Sequence, residues 1–119
     1  MEEKDIEKEI QAKGANVAPR ITPADIEANI TSAFYFTAAE GVEGASGHLP
    51  NSVRAGTALS LLTFCVLVLR NGFTVTGESA CASPANFNAE LGRKIARQNA
   101  VAKIWPLMGY ELRSKLAAA

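Results

Sequence analysis

The stretch LLTFCVLVLRNGFTVTGESA, residues 61–80, carries the clearest structural pattern in the chain. Asn71-Gly72 is the dipeptide that two-residue type I′ hairpin turns prefer. The residues on either side of it are rich in β-branched and aromatic side chains, which favour strands. The stretch therefore predicts a β-hairpin with strands at about 61–70 and 73–80.

A two-residue turn also predicts which side chains of the hairpin share a face, because Arg70 then lies opposite Phe73. The first predicted face carries Leu62, Phe64, Val66 and Val68 with Val75, Gly77 and Ser79. The second carries Thr63, Cys65, Leu67 and Leu69 with Thr74, Thr76 and Glu78. We expect a helix to cover the first face. Cys65 and Cys81 fall on opposite faces in this register, which argues against a disulfide.

The first strand of the hairpin is apolar on both of its faces. A two-stranded hairpin cannot bury two apolar faces by itself, whereas association of several copies would extend the sheet or cover it. We therefore expect a homo-oligomer.

A helix is predicted before the hairpin. Thr22 is a good N-cap and Pro23 occupies the favoured first helical position. Ile26, Ile30 and Phe34 repeat at helical spacing, so this helix should run to about residue 37.

A longer helix is predicted after the hairpin, at about 84–104. Ser83 and Pro84 suit the N-cap and the first helical position, and Pro106 should end the regular helix. A short C-terminal helix follows. The predicted buried stripe of the long helix is Phe87, Leu91 and Ile95.

These elements together predict an α+β fold in a single domain over residues 21–119. Residues 1–20 form an acidic arm and linker that we expect to be disordered or ordered only by a partner, since few apolar residues anchor them. Residues 41–57 are glycine-rich without periodicity, which predicts a flexible loop.

Composition and motifs weigh against several classes of function. Twelve basic and twelve acidic side chains give zero net charge, which points away from nucleic-acid and membrane partners. The apolar run before the hairpin turn is too short to cross a bilayer as a helix. The single histidine, His48, has no nearby partner, and Cys65 and Cys81 have no metal-ligand spacing. We therefore expect a cytoplasmic protein that is not an enzyme and uses no metal or cofactor.

The junction after the hairpin, GESACASPANFN at residues 77–88, gathers small polar side chains before a predicted helix. Helix N-termini attract phosphate, and arginines bind it through paired hydrogen bonds. The candidate ligand-binding residues are Glu78, Ser79, Ser83, Asn86, Asn88, Arg93 and Arg97. Each also has an ordinary structural explanation, since Ser83 suits a helix cap and the arginines suit a solvated helix face.

Residues 62–116 closely resemble the gene product forty-nine/sixty-six family of small tailed-phage proteins. The motifs that carry the resemblance are NGF at 71–73, GESACASPANFN at 77–88, GRKIA at 92–96 and KIWPLMGYEL at 103–112. The segment TPADIEANITSAFYFTAAEGV, residues 22–42, is similar to the N-terminal helix of the family. None of these motifs is a catalytic signature.

The resemblance implies a phage or prophage accessory protein that acts in the cytoplasm of a bacterial host. By analogy with small phage proteins that sequester immune signals, we expect an anti-defence protein that binds a cyclic nucleotide or cyclic ADP-ribose type ligand without catalysis. The alternative is a protein–protein interaction module that inhibits or modulates a host or phage protein. Weak nucleic-acid binding ranks third, because the chain has zero net charge and no helix-turn-helix spacing.

Overall fold

The computed structural model describes residues 3–49 and 53–119 and has the predicted α+β fold. In chain order its elements are α1 (Glu3–Ala12), α2 (Pro23–Asn29), β1 (Ile30–Thr37), α3 (Ala38–Ser46), α4 (Val53–Ser60), β2 (Leu62–Leu69), β3 (Thr74–Ala80) and α5 (Ala89–Ala118). The predicted upstream helix, hairpin and long helix are present as α2, β2–β3 and α5. Their bounds and several connections differ from the prediction.

The described strands form an antiparallel sheet in the order β1-β2-β3, with β2 in the centre. Phe34 of β1 lies opposite Val66 of β2, which lies opposite Thr76 of β3. From Ser32 onward, even-numbered residues of the three strands therefore share one face and odd-numbered residues share the other, whereas an irregularity before Ser32 places Ile30 opposite Leu69. α5 packs on the odd-numbered face, where Cys65 and Leu67 are fully buried.

The prediction of one helix from Thr22 to Thr37 is wrong in its second half. Thr22 caps α2 through a capping box, as its position suggests, but α2 ends at Asn29 and the chain continues as β1. The segment ITSAFYFT is rich in β-branched and aromatic residues, which favour a strand once β2 is available for pairing. Phe34, which the helical spacing placed in the core, is 57% exposed.

The hairpin turn contains three residues rather than two, so the predicted register is wrong by one residue. The Leu69 N–H donates to the Phe73 carbonyl at 2.8 Å, and the Gly72 N–H donates to the Leu69 carbonyl at 2.9 Å. Gly72 has a φ of 88°, the left-handed conformation that a three-residue hairpin loop requires at this position. The buried face is therefore Thr63, Cys65, Leu67 and Leu69 with Val75 and Gly77. For β2 this is the opposite of the face that we expected a helix to cover, whereas Val75 and Gly77 of β3 lie on the covered face as expected.

The register also changes the positions of the cysteines. Cys65 and Cys81 lie on the same side of the sheet and not on opposite sides as predicted, and both are free thiols. Cys65 pairs with Gly77, four residues before Cys81, which corresponds to about 13 Å along the strand. That separation is too large for a disulfide.

Small residues allow α5 to approach the sheet closely. A Cβ atom on Gly77 would lie 2.1 Å from the Ala96 carbonyl oxygen and 2.3 Å from the Ala100 nitrogen. The buried residues of α5 are Gly92, Ala96, Ala100, Val101 and Ile104. Leu91 and Ile95, which we predicted to be buried, are instead 55% and 38% exposed.

α5 begins and ends later than the helix predicted at 84–104. Its N-cap is Asn88, whose side-chain oxygen accepts the Leu91 N–H at 2.9 Å. Ser83 precedes only a short 3₁₀ turn and makes no side-chain cap hydrogen bond. Pro106 lies inside α5 and does not end it, so the predicted short C-terminal helix is the last part of α5.

The glycine-rich stretch at 41–57, predicted as a loop, is helical at both of its ends. α3 begins with a capping box between Thr37 and Glu40, and Gly47 ends it in the left-handed conformation with a φ of 81°. α4 occupies the end of the stretch, and residues 50–52 lie outside the described residues.

The acidic arm predicted at residues 1–20 contains helix α1, which contacts the rest of the chain. The Trp105 indole N–H donates to the Glu3 carboxylate at 2.7 Å, and Arg20 forms an ion pair with Glu7. Ile6 and Ile10 line the groove between α1 and the domain. These contacts hold α1 against α2 and α5.

Candidate functional site

A small cavity, which we call the Arg93 pocket, lies between the first turn of α5 and the end of β1. It is lined by Tyr35, Phe36, Thr37, Glu40, Thr63, Phe87, Ala89 and Arg93. Its volume is about 40 Å³. Because one buried water needs roughly 10–15 Å³ by this measure, the cavity holds two or three waters or one group of phosphate size.

Arg93 is the cationic member of the pocket. Asn88 caps α5, so Arg93 lies little more than one turn into the helix, near its positive dipole end. The side chain is exposed, and no hydrogen bond or ion pair to it exists within residues 3–49 and 53–119. Its guanidinium is therefore available to an external anion.

Thr63 contributes a buried hydroxyl to the same pocket. The residue is only 3% exposed and lies beneath Gly92, where an added Cβ would be 3.1 Å from its Oγ1. No described protein group forms a hydrogen bond with this hydroxyl, and no fully buried side-chain oxygen of the described residues lacks a partner, so the Thr63 hydroxyl is open to the pocket. The pocket itself supplies the space for a partner.

Arg97, one turn after Arg93, already has hydrogen-bond partners within the chain. Its Nη2 donates to Glu27 Oε2 at 2.8 Å, and its Nη1 donates to the Tyr35 hydroxyl at 3.5 Å. The hydrogen bond with Tyr35 raises the pKa of the Arg97 guanidinium, and Glu27 adds to this effect against the opposing influence of partial burial. Arg97 therefore positions Tyr35 beside the pocket and does not line it.

The pocket combines groups that recognise phosphate esters. A free guanidinium binds phosphate oxygens, a threonine hydroxyl donates to them, and the aromatic rings of Tyr35 and Phe87 provide apolar walls. The one carboxylate, Glu40, accepts the Thr37 N–H at 2.9 Å and is thereby held in the capping box of α3. Its second oxygen suits a hydroxyl or amino group of a ligand, not a phosphate.

The predicted site residues of β3 are divided between the two faces of the sheet. Glu78 lies on the even-numbered face opposite Phe64, so its side chain points away from the Arg93 pocket. Ser79 lies on the odd-numbered face directly opposite Thr63, which places it next to the pocket. Neither Glu78 nor Ser79 lines the Arg93 pocket itself.

The predicted site residues of the junction have structural roles. Asn88 caps α5 with its side-chain oxygen. The Ser83 carbonyl accepts the Cys81 thiol at 3.1 Å, and Asn86 is exposed within the 3₁₀ turn. None of the three lines the Arg93 pocket.

Sequence reasoning missed the part of the pocket that β1 supplies. Tyr35 and Thr37 were assigned to a helix, and Thr63 was assigned to the hairpin face that we did not expect a helix to cover, because the hairpin register was off by one. The run ITSAFYFT, residues 30–37, contained the available signal, since six of its eight residues are β-branched or aromatic.

The described residues contain no group of three or more histidine, cysteine, aspartate or glutamate side chains arranged to hold a metal ion. Burial raises the pKa of the Cys65 thiol, with the neighbouring Tyr35 hydroxyl opposing part of the rise. Cys65 is therefore a protonated thiol in the core. No described helix has the length and apolarity needed to cross a membrane.

Comparison with known proteins identifies the family. No curated protein and no solved structure matches the chain significantly. A family model does match, over residues 21–116, which covers α2 through nearly all of α5 and leaves α1 outside. The chain therefore belongs to the phage protein (N4 Gp49/phage Sf6 gene 66) family.

Proposed function

We propose that this phage protein is an anti-defence protein that binds and sequesters a nucleotide second messenger of host immunity in the bacterial cytoplasm, without catalysis. The observation that supports the proposal is that Arg93, whose guanidinium has no partner among the described residues, and the Thr63 hydroxyl line the same pocket. Family membership supports the phage context alone.

The size of the Arg93 pocket limits what it binds within one chain. A cavity of about 40 Å³ accepts a phosphate group and leaves the sugar and base outside. Two aromatic residues of its lining, Tyr35 and Phe87, are those against which a base or ribose would rest. A cyclic nucleotide or cyclic ADP-ribose type ligand offers the required phosphates and rings.

A thermal-shift screen tests this proposal. The probes are cyclic dinucleotides, cyclic trinucleotides and cyclic ADP-ribose isomers, each added to the full chain. A ligand present at 100 times its Kd stabilises the folded protein by about 2.7 kcal/mol, which raises the Tm by several degrees. No shift with any of the three classes would contradict the proposal.

Three variants locate the binding site. Arg93→Ala removes the free guanidinium and should abolish the shift, while the unliganded Tm stays unchanged because Arg93 is exposed and unpaired. Thr63→Val keeps the shape of the side chain and should weaken binding by about tenfold through loss of one hydrogen bond. Arg113→Ala removes an exposed arginine near the other end of α5 and should bind like the unmodified chain.

The second candidate function is a protein–protein interaction module that inhibits or modulates a host or phage protein. It is favoured by the groove of about 330 Å³ under α1, whose walls are mainly apolar. Its lining includes Ile6, Ile10, Ile21, Pro23, Ala102 and Trp105. A pull-down with the full chain tests this second function. It replaces the first function if a host protein binds the unmodified chain but not an Ile6→Asp variant, and if no nucleotide shifts the Tm.

A further inference from the structure

The even-numbered face of the sheet, which we call the open face, is apolar around Phe34, and within residues 3–49 and 53–119 no layer comparable to α5 covers it. Its exposed centre is Phe34, 57% exposed, with Val66 and Val68 half-buried beside it. α5 lies on the other side of the sheet. α3 reaches only one end, where Gly41 lies against the Phe36 ring.

Domains of this size are stable when a sheet is covered on its apolar face by a second layer. The described chain supplies such a layer only for the odd-numbered face. A contiguous exposed apolar patch of this kind marks an interaction surface. We propose that a second copy of this chain covers the open face, with the two sheets packed face to face about a two-fold axis.

The charge distribution favours a second copy as the occupant. A two-fold contact places the same patch of both subunits together, so a charged patch would repel its own copy. The even-numbered positions of β1, β2 and β3 include one charged residue, Glu78, near the end of β3. The chain also has zero net charge, so two copies experience no long-range repulsion.

The shape of the open face also suits a second copy. Flat sheets pack on one another at a separation of about 10 Å through interdigitating side chains. An identical sheet presents the same combination of Phe34, its most exposed aromatic residue, beside smaller valines. Phe34 of each subunit can therefore fill the space over Val66 and Val68 of the other.

The area of the open face limits how tightly two copies can associate. Three strands about 4.8 Å apart and about eight residues long give a projected face on the order of 370 Å². Stable interfaces bury about 800 Å² per subunit. The dimer should therefore dissociate on dilution, and its test needs a wide range of concentrations.

Sedimentation velocity of the full chain, from low micromolar to submillimolar concentration, tests the proposal. The mass should rise from that of one chain, 12.6 kDa, toward that of two. Phe34→Glu should remain at the one-chain mass throughout. Tyr110→Glu, which places the same charge at a 78% exposed aromatic residue on α5, should associate like the unmodified chain.

Two outcomes would overturn the second copy as occupant. The first is a measured mass equal to one chain at every concentration. That result excludes a second copy whether or not the open face binds another protein. The other is association that Phe34→Glu leaves intact. Far-UV circular dichroism and Tm establish that each variant folds. If Phe34→Glu fails to fold, Thr76→Lys replaces it, because Thr76 is an exposed residue of β3 on the same face. The proposal then requires that Thr76→Lys weakens self-association at least tenfold.

Discussion

At the scale of single residues, Gly77 determines how closely α5 can pack on the sheet. The helix backbone passes over this glycine, so a methyl group there would occupy the positions of the Ala96 carbonyl and the Ala100 nitrogen. Both are backbone atoms, which cannot rotate away. α5 would have to move off the sheet, and the core beneath it would lose contacts.

Gly77→Ala should therefore lower the free energy of unfolding by at least about 2 kcal/mol. Urea denaturation measures the change. Gly109→Ala is the matched control, because a Cβ there meets no atom within 4 Å and alanine is the better helix former. The control should gain up to about 1 kcal/mol. Equal effects of the two substitutions would show that α5 does not approach β3 as described.

The buried thiol of Cys65 should make stability depend on alkaline pH. Burial raises its pKa in the folded state above the value of about 8.5 in the unfolded chain. The folded state then holds the proton more tightly, so this contribution is fully present below about pH 8.5 and is lost as the pH rises through the folded pKa.

Urea denaturation from about pH 8 to about pH 10 measures this dependence. The difference in unfolding free energy between the unmodified chain and Cys65→Ala should shrink as the pH rises. Cys81→Ala should retain the decline, because it still contains Cys65. A pH-independent difference would contradict the burial of Cys65.

At the scale of secondary-structure elements, the hairpin and the start of α2 at Thr22 and Pro23 were the most predictable. Asn71-Gly72 located the turn correctly, but the dipeptide fits both a two-residue loop and the end of a three-residue loop. The side chains around it did not decide between them, because β2 is apolar on both faces. A one-residue error then exchanged the buried and open faces of β2.

β1 shows why the rest of the fold was not predicted. Ile26, Ile30 and Phe34 have helical spacing, although only Ile26 is fully buried. The strand is stabilised by pairing with β2, which begins 25 residues after β1 ends, and local spacing contains no information on that contact. Of the candidate site, Arg93 was predictable from its place in a helix, whereas Tyr35 and Thr63 depended on the sheet.

Helix α1 offers a test at this scale, because Trp105 is the only tryptophan and lies in the groove beneath it. Ile6→Asp with Ile10→Asp should detach α1, since burying a carboxylate in an apolar groove is costly. Trp105 fluorescence should then shift to longer wavelength as the indole meets water, with only a small change in Tm. Lys8→Ala, on the exposed side of α1, should leave the emission unchanged. An unchanged spectrum for the double variant would contradict the docking of α1.

At the scale of the whole molecule, the chain is elongated. Its radius of gyration is 18.2 Å, whereas a compact domain of this length has about 13–14 Å. The 30 residues of α5 extend about 45 Å, well beyond the sheet. An elongated monomer leaves apolar surface uncovered, and the exposed Phe34 on the open face is one consequence.

Strand β1 contributes residues to both the Arg93 pocket and the open face. Phe36 lies on the open side of β1 and also lines the pocket, so assembly and ligand binding meet at the same end of the sheet. Tyr35 and Thr63 of the pocket lie on the opposite face of the sheet, so a second copy on the open face would reach the pocket only beside Phe36.

Sequestration without catalysis is the central claim, and a depletion-and-recovery measurement tests it most directly. A cyclic nucleotide that shifts the Tm is mixed with excess protein. Ultrafiltration separates the free nucleotide, which is quantified by chromatography. The retained protein is then denatured, and the nucleotide that it releases is quantified in the same way. We predict that the free nucleotide falls in proportion to the protein added and returns unaltered on denaturation, and that Arg93→Ala leaves it free. Recovery of a converted product, or no depletion by the unmodified chain, would contradict the claim.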